Sequence, residues 1–505
     1  MPTIKQIAVT NFFGGISDDA RKSTATEFTI SKHFDIFSSP NRLIPYRSLE
    51  TDTETSVSAT DLKQYFVKDF VYASASSKFY GLGQTGAGLT KIVEKANAIS
   101  GLWTLPATSE GNGAVKSGSF LEYKDYLWGF QGTTQVFRWG LLSGTPSITN
   151  SHGTVATITS VAQSVIASDG NMYMAYNNNI VRVSTALVVT DAVISVPTNF
   201  KITSICNYGK YLAIGCAPIS TFNGTSKVYL WNLSSDLFQD TIDWGEGELR
   251  VLETVEGYLV GITDRYLNID TGAGAGSMIV QTYSGGVPQV VKEISTLKIV
   301  GKTMPISKAV KNNRLFWAAK IMTNSAGTEY NEGIWSFGRK NAQYPWAITL
   351  DLIDENVSTS GIQSFGTAGN FFFISHSSDG SVDKTNDAAT YAFTSVYESQ
   401  IVDFGDANIT KQLIGVSVTS AAIPSNGTTS GTVTVKYKTD IATSWTTIGS
   451  YTSSLSAKYF RDFINIESTG DSFASAKEYR FRIESTGGQE ITGFKIKVQM
   501  ISEPN

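Results

Sequence analysis

Cysteine is almost absent: the 505-residue chain has two, Cys206 and Cys216. That excludes a disulfide-dense scaffold and a four-cysteine zinc site. Histidine is as scarce, with only His33, His152 and His376 open to imidazole chemistry. Charge is low at 17%, and 40 Lys+Arg minus 44 Asp+Glu leaves −4. The chain is thus too apolar for disorder and too balanced for a polycation that coats DNA. No apolar run approaches the roughly 18 residues of a membrane-spanning helix. The opening MPTIKQIAVTNFFGG lacks a basic start followed by an apolar run, so it does not read as a signal peptide. The expectation is folding in a cytoplasm, with both thiols reduced and buried as small apolar residues. The N-x-S/T triplets at Asn223, Asn232, Asn356, Asn408 and Asn426 then read as turns.

What is present is glycine, 45 residues against 12 prolines, with Ser, Thr and Asn between short apolar runs. This is the pattern of many short strands joined by tight turns. Helical spacing is confined to Asp61–Phe66 and Leu89–Lys95. Between 67 and 395 one unit recurs, a polar or turn residue followed by large apolar residues. Its first apolar residues are Phe79, Tyr126, Met172, Tyr211, Tyr258, Leu315 and Phe371, at steps of 47, 46, 39, 47, 57 and 56. Each step suits one four-stranded antiparallel blade, which buries its two faces only by stacking on its neighbours. Continuous apolar runs are expected in inner strands. Outer strands are expected at Val136–Phe137 with Trp139, at Ile180–Val183, at Val228–Trp231 and at Ile334–Phe337. The fold class is therefore all-β: a β-propeller of about seven blades, six to eight, over residues 61–395. WD dipeptide ladders and kelch glycine pairs do not accompany the repeat.

The ends differ. Residues 1–60 read as an extended arm and a polar linker, poised to pack on the propeller or on a neighbouring subunit. Residues 396–505 carry strict alternation at Thr432–Lys438, Tyr479–Ile483 and Phe494–Met500, which means one buried and one wet face, a β-sandwich.

Candidate chemistry is sparse. Gly81-Leu82-Gly83-Gln84-Thr85-Gly86 matches a dinucleotide fingerprint, but that fingerprint needs a parallel βαβ unit, so the glycines read as a hairpin turn. Gly272 to Gly276 reads as a loop. Asp240, Asp243, Glu246 and Glu248 lie near Trp231 and Trp244. Such acids beside an indole suit a glycosidase that aims Asp243, Glu246 or Glu248 at the channel, or else a solvated blade edge. Asp379, Asp383 and Asp387 depart from calcium-loop spacing, and His376 reads as structural. Lys32, His33, Arg42 and Arg47 alternate with Phe34, Phe37 and Tyr46, the pattern of a nucleic-acid contact or of a strand packing its rings inward. No catalytic residue, cofactor or metal is assigned.

The string Phe13-Gly14-Gly15-Ile16-Ser17-Asp18-Asp19, then Phe34-Asp35-Ile36-Phe37 and Arg42-Leu43-Ile44-Pro45-Tyr46-Arg47, resembles the openings of proteins encoded by tailed bacteriophages. So does Leu230-Trp231 with Asp243-Trp244-Gly245-Glu246-Gly247-Glu248. With its arm, propeller and sandwich, the chain resembles virion proteins of the tail hub or nozzle kind. The resemblance implies a structural virion protein in the tail or head–tail junction, a ring around the DNA exit channel. Its partners would be copies of itself, other virion proteins and DNA in transit. Assembly would fall to Phe13, Gly14, Gly15, Phe34, Phe37, Arg42, Tyr46 and Arg47, since an extended segment can cross a subunit boundary. Two alternatives stand beside it: a receptor- or glycan-binding module using Trp244 or Trp445, and a propeller polysaccharide hydrolase.

Overall fold

The computed structural model describes residues 3–17, 26–52, 65, 67–96, 102–219, 224–266, 274–299, 308–322, 330–353, 362–369, 371–376, 381–385, 394–421, 430–454, 459–465, 473 and 475–501. Among them the regular structure is strand, with no helix and so none long and apolar enough to cross a membrane. The chain forms two compact units: one of Leu49–Ile334 with Asp354–Thr385, the other of Met1–Ser48, Trp335–Ile353 and Asn386–Asn505.

The first unit is the β-propeller. Its seven recurring apolar segments are seven second strands: Lys78–Gln84, Tyr126–Gln131, Met172–Tyr176, Tyr211–Pro218, Tyr258–Tyr266, Arg314–Met322 and Phe371–His376. Each pairs antiparallel with the strand before it, the innermost of its blade. The apolar runs therefore sit one strand further out than expected. Val136–Trp139, Ile180–Val183 and Val228–Trp231 occupy third strands, inside fourth strands such as Ser147–Thr154 and Asp240–Glu246. Those fourth strands are half-wet, and their weak pattern hid them.

Radial stacking explains why second strands are apolar on both faces. Met172–Tyr176 is buried at every position; Tyr173 and Ala175 enter a cluster with Leu212 and Ile214 of the next blade, while Met172, Met174 and Tyr176 enter one with Trp128 and Phe130 of the blade before. Glycines in these strands make room for rings: a Cβ on Gly261 would lie 2.5 Å from the Trp244 indole, and one on Gly129 2.7 Å from Phe137.

Strand Glu110–Tyr123 serves two blades, pairing first with Leu89–Lys95 and then, past a register shift, with Tyr126–Gln131. Leu89–Lys95 is thus a strand, against the helix its spacing suggested. Gly88, at φ 80°, turns the chain back after Lys78–Gln84, and the pairing runs from Gln84↔Thr90 to Phe79↔Lys95. The Gly81–Gly86 string belongs to this antiparallel hairpin. Of the other helical segment, only Tyr65 is described, as a turn.

The last blade is completed from the chain's start. Leu49–Thr51 pairs antiparallel with Val382–Thr385 as the fourth strand. Phe373 of that blade packs on Phe79 of the first, centroids 4.3 Å apart, inside a cluster with Val67, Phe70 and Trp103. The propeller domain thus begins at Leu49 rather than at 61, because its closing strand lies before the linker.

The second unit is the sandwich. One sheet runs Ile4–Val9, Ile491–Met500, Lys411–Ala421, Tyr459–Asn465. The other includes Glu27–Lys32, Ser395–Ser399, Tyr479–Ser485, Ser430–Thr439 and Thr446–Ser454 in that order. Tyr397 of the second meets Phe494 of the first at 5.7 Å, and Tyr451 Oη bonds Ser420 Oγ at 3.1 Å across the gap. The described residues of the first 48 contribute short strands to this unit, Ile4–Val9, Gly15–Ile16, Glu27–Lys32, Phe34–Asp35 and Ile44–Pro45. Ile4–Val9 pairs with Ile491–Met500, and Phe12, Phe28, Phe34 and Leu43 are fully buried. Their large apolar side chains gain more from burial than from exposure as an arm.

Candidate functional site

The inner strands repeat a device. Register slips in each of five: between Lys116 and Leu121, Ala162 and Val165, Ile202 and Ser204, Leu249 and Val251, and Ile362 and Ser364. Bulges of this kind unpair backbone groups and re-aim side chains. The freed groups are taken up across blade boundaries. Ser164 Oγ donates to Ser119 O at 2.7 Å, and Thr203 Oγ1 to Leu249 O at 2.6 Å. Ser204 Oγ accepts from Leu252 N at 3.1 Å. Asp69, on the first inner strand, accepts from Phe70 N at 2.9 Å, Gly118 N at 3.1 Å and Phe120 N at 3.2 Å. Desolvation outweighs these three bonds and pushes the buried carboxyl up to about 7.

The axis itself is occupied. Lys308, on the sixth inner strand Lys308–Lys311, reaches with Nζ to Ile205 O at 2.8 Å, Leu252 O at 2.5 Å, Ser204 Oγ at 3.1 Å and Glu253 Oε2 at 2.9 Å. From the third inner strand, Gln163 Nε2 donates to Lys308 O at 3.3 Å. Side chains of blades three, four, five and six therefore meet across the centre, and this layer of the propeller is filled. Lys308→Ala withdraws the cation from Glu253 and the donor from two buried carbonyls. It is expected to cost about 2–4 kcal/mol. Urea unfolding checks this, with Lys308→Arg retaining part of the loss.

The acids singled out near Trp244 are not brought together. Asp240, Asp243 and Glu246 are exposed on the fourth strand of their blade, the rim rather than the axis. Asp243 pairs with its cross-strand neighbour Lys227 at 2.9 Å. Glu248 is on an inner strand but buried, held by Lys201 at 2.6 Å and by Arg250. Trp244 is 1% exposed, lying over Gly261 with its carbonyl accepting from Gln281 at 2.7 Å, so it offers no sugar platform. Trp445 is half-buried, the Arg482 guanidinium 5.9 Å from its ring.

His376 is structural: Nε2 lies 3.1 Å from Asp383 Oδ2, both buried. Asp379 and Asp387 lie outside the described residues, as do Gly272, Asn223, Asn356 and Asn426. Among the described residues no group of three or more His, Cys, Asp or Glu is arranged to hold a metal. Asn232 is the turn residue expected, its Oδ1 accepting from Ser234 N and Ser235 N. Cys206 and Cys216 are free and buried, which pushes both thiols up.

The eight residues read as an assembly set are engaged within their own unit. Phe34 and Phe37 are buried, and Phe13 meets Tyr344 edge-on at 5.2 Å. Gly14 N bonds Thr26 O at 3.0 Å, and Gly15, at φ 76°, sits where a Cβ would lie 2.8 Å from Ile348 N. Arg42 pairs with Glu490 at 3.1 Å, Tyr46 N bonds His33 O at 2.8 Å, and Arg47 is half-buried. With His33 buried too, the basic–aromatic segment packs its rings inward, as the bland reading of that pattern had it.

Sequence reasoning missed the bulge serines. Their signal was present: Ser119, Ser164, Ser204 and Ser364 precede Tyr126, Met172, Tyr211 and Phe371 by 7, 8, 7 and 7 residues.

No protein-family model matches the chain, and no curated protein matches its sequence. Among solved structures it is similar to the WD40 domain of Pan2 from Neurospora crassa, at 10% identity over 67% of this chain and 94% of that one, TM-score 0.40. It is similar also to the N-terminal domain of Nup159, at 10% over 71% and 99%, TM-score 0.41. BamB from Moraxella catarrhalis matches at 12% over 61% and 79%, TM-score 0.34. No function follows from likenesses this distant. The fold rests on the strand order and the closing strand described above.

Proposed function

We propose that the protein is a non-catalytic structural protein of a tailed-phage virion, a ring-forming component of the tail or head–tail junction of the hub or nozzle kind. It would assemble in the host cytoplasm and reside in the tail. The residues of the Phe13–Arg47 and Leu230–Glu248 segments support the virion role by resemblance. The observation that carries the ring is the outer edge of the sandwich. Strand Ile4–Val9 pairs with Ile491–Met500 on one side and, among the described residues, with no strand on the other, while Ile4 is 58% exposed. An unpaired edge is a template on which another chain adds a strand. Because Lys308 and Gln163 fill the propeller axis, DNA in transit would pass through the ring of chains and not through one propeller.

Native mass spectrometry with negative-stain imaging of the purified chain tests this reading. A closed ring is expected, and removal of residues 1–9 should leave monomers. A monomer at every concentration, or a ring that survives the truncation, would overturn the edge as the assembly element.

A further inference from the structure

One end of the propeller carries exposed aliphatic side chains at the tips of successive turns. In each blade the inner strand ends where the second begins, and the third strand ends beside that point. Pairing sets Phe79 against Lys95, Tyr126 against Gly140, Met172 against Val183, Leu212 against Trp231 and Leu259 against Tyr283. In blade one, Leu102 precedes Trp103–Thr104, which pairs back on Glu94 and Lys95. The turns that follow the third strands of blades one to five therefore all lie at this end. Each exposes one large aliphatic residue: Leu102 and Leu141 at 47%, Val188 at 59%, Leu237 at 74% and Val287 at 71%. At the other end, among the described residues, the turns expose only Ile219 in this way, at 60%.

Tyrosines accompany the tips. Tyr126, Tyr211 and Tyr258 open second strands at this end and are half-buried, and Tyr72, near the end of the first inner strand, is exposed. The exposed charges of these turns and strand ends nearly cancel, Lys124 and Lys210 against Asp169, Asp236 and Asp240. A nucleic acid or an anionic membrane finds no net attraction in such a set. Apolar residues gathered on one surface mark a contact with protein or with lipid. These five belong to five different blades, so a protein partner would need a separate pocket for each. Lipid is fluid and fills the space between tips. Aliphatic side chains suit the acyl boundary, and tyrosine rings suit the level of the headgroups.

We propose that this end of the propeller docks on a zwitterionic lipid surface, with the aliphatic tips in the acyl boundary and the tyrosines among the headgroups. The contact is peripheral, made by side chains of turns and not by a membrane span. The inference does not depend on the virion role.

Co-sedimentation of the full chain with phosphatidylcholine vesicles tests it. The wild type should bind, and the variant L141S/V188S/L237S/V287S should lower the partition coefficient about tenfold or more, because the apolar area that enters the lipid is lost. Its thermal unfolding should not change, since these side chains are exposed in the folded chain. Ile219→Ser should bind as the wild type does. Added phosphatidylglycerol or high salt should leave binding unaltered. Cys206 and Cys216 are buried, so an environment-sensitive dye can be placed on L237C or on I219C. Vesicles should shift the first dye to the blue and leave the second unchanged. No vesicle binding by the wild type, equal binding by the quadruple variant, binding that needs phosphatidylglycerol or vanishes in salt, or a blue shift at both positions would each overturn the assignment. Self-association that the quadruple variant abolishes, without vesicle binding, would give this end to a second copy of the chain.

Discussion

Replacing Asp52 by alanine is expected to lower stability by about 3–5 kcal/mol, the usual cost of removing one partner from a buried ion pair. Asp52 directly follows the closing strand Leu49–Thr51. Its amide bonds Val382 O at 2.8 Å, in the last blade. Its Oδ2 accepts from Lys95 Nζ and from Trp103 Nε1, both at 2.7 Å, in the first blade. Lys384 stands 3.9 Å from Oδ1. The side chains of Asp52 and Lys95 have no solvent exposure. One carboxylate thus joins the two ends of the ring, and its loss removes the ion-pair partner of a buried ammonium group. Urea unfolding should show the drop. The double variant D52L/K95M should recover much of it, because an apolar pair of similar volume removes both buried charges. If D52A and the double variant unfold alike, the interaction is a packing contact and not an electrostatic clasp.

The propeller was legible in the sequence because burial on both faces leaves an unbroken apolar run, and all seven such runs are second strands. What was illegible depended on register or on distant segments. Leu141, Val188 and Leu237 each read as single apolar residues in polar turns; only the strand pairing brings them to one end of the propeller. Leu49–Thr51 is three residues long in a polar stretch, and its role comes from Val382–Thr385, more than three hundred residues on. Trp244 looked available beside acidic residues. The glycine that houses its ring, Gly261, is on the second strand of the next blade. Leu89–Lys95 read as helix because Leu89, Ile92 and Val93 satisfy helical spacing, while a strand buried on both sides tolerates the same residues. The alternating strands of the sandwich were legible in turn, and the first 48 residues were not, because their apolar pairs are too short to reveal what they pack on.

Between about pH 4 and pH 7 the protein should lose stability through Asp69, by up to about 4 kcal/mol at 1.36 kcal/mol per unit. The buried carboxyl is pushed from 3.8 to about 7 by desolvation, which exceeds the opposing effect of the amides of Phe120, Phe70 and Gly118. In the unfolded chain the same group loses its proton near 3.8. Through the window the folded state binds more protons than the unfolded one, so stability falls as pH rises and levels off above about 7; below about 4 the contribution is fully present. The carboxyl meets amides freed by the bulge in Glu110–Tyr123. Ionisation therefore acts at the join of the first two blades. Other carboxylates change stability with pH as well, so the comparison is with Asp69→Asn, which keeps an oxygen acceptor and cannot ionise. Urea midpoints measured from pH 4 to 8 should show the wild type losing ground steadily to the variant up to about pH 7. Parallel curves would mean that the three amides hold Asp69 ionised throughout, and that hydrogen bonding, not desolvation, governs the group.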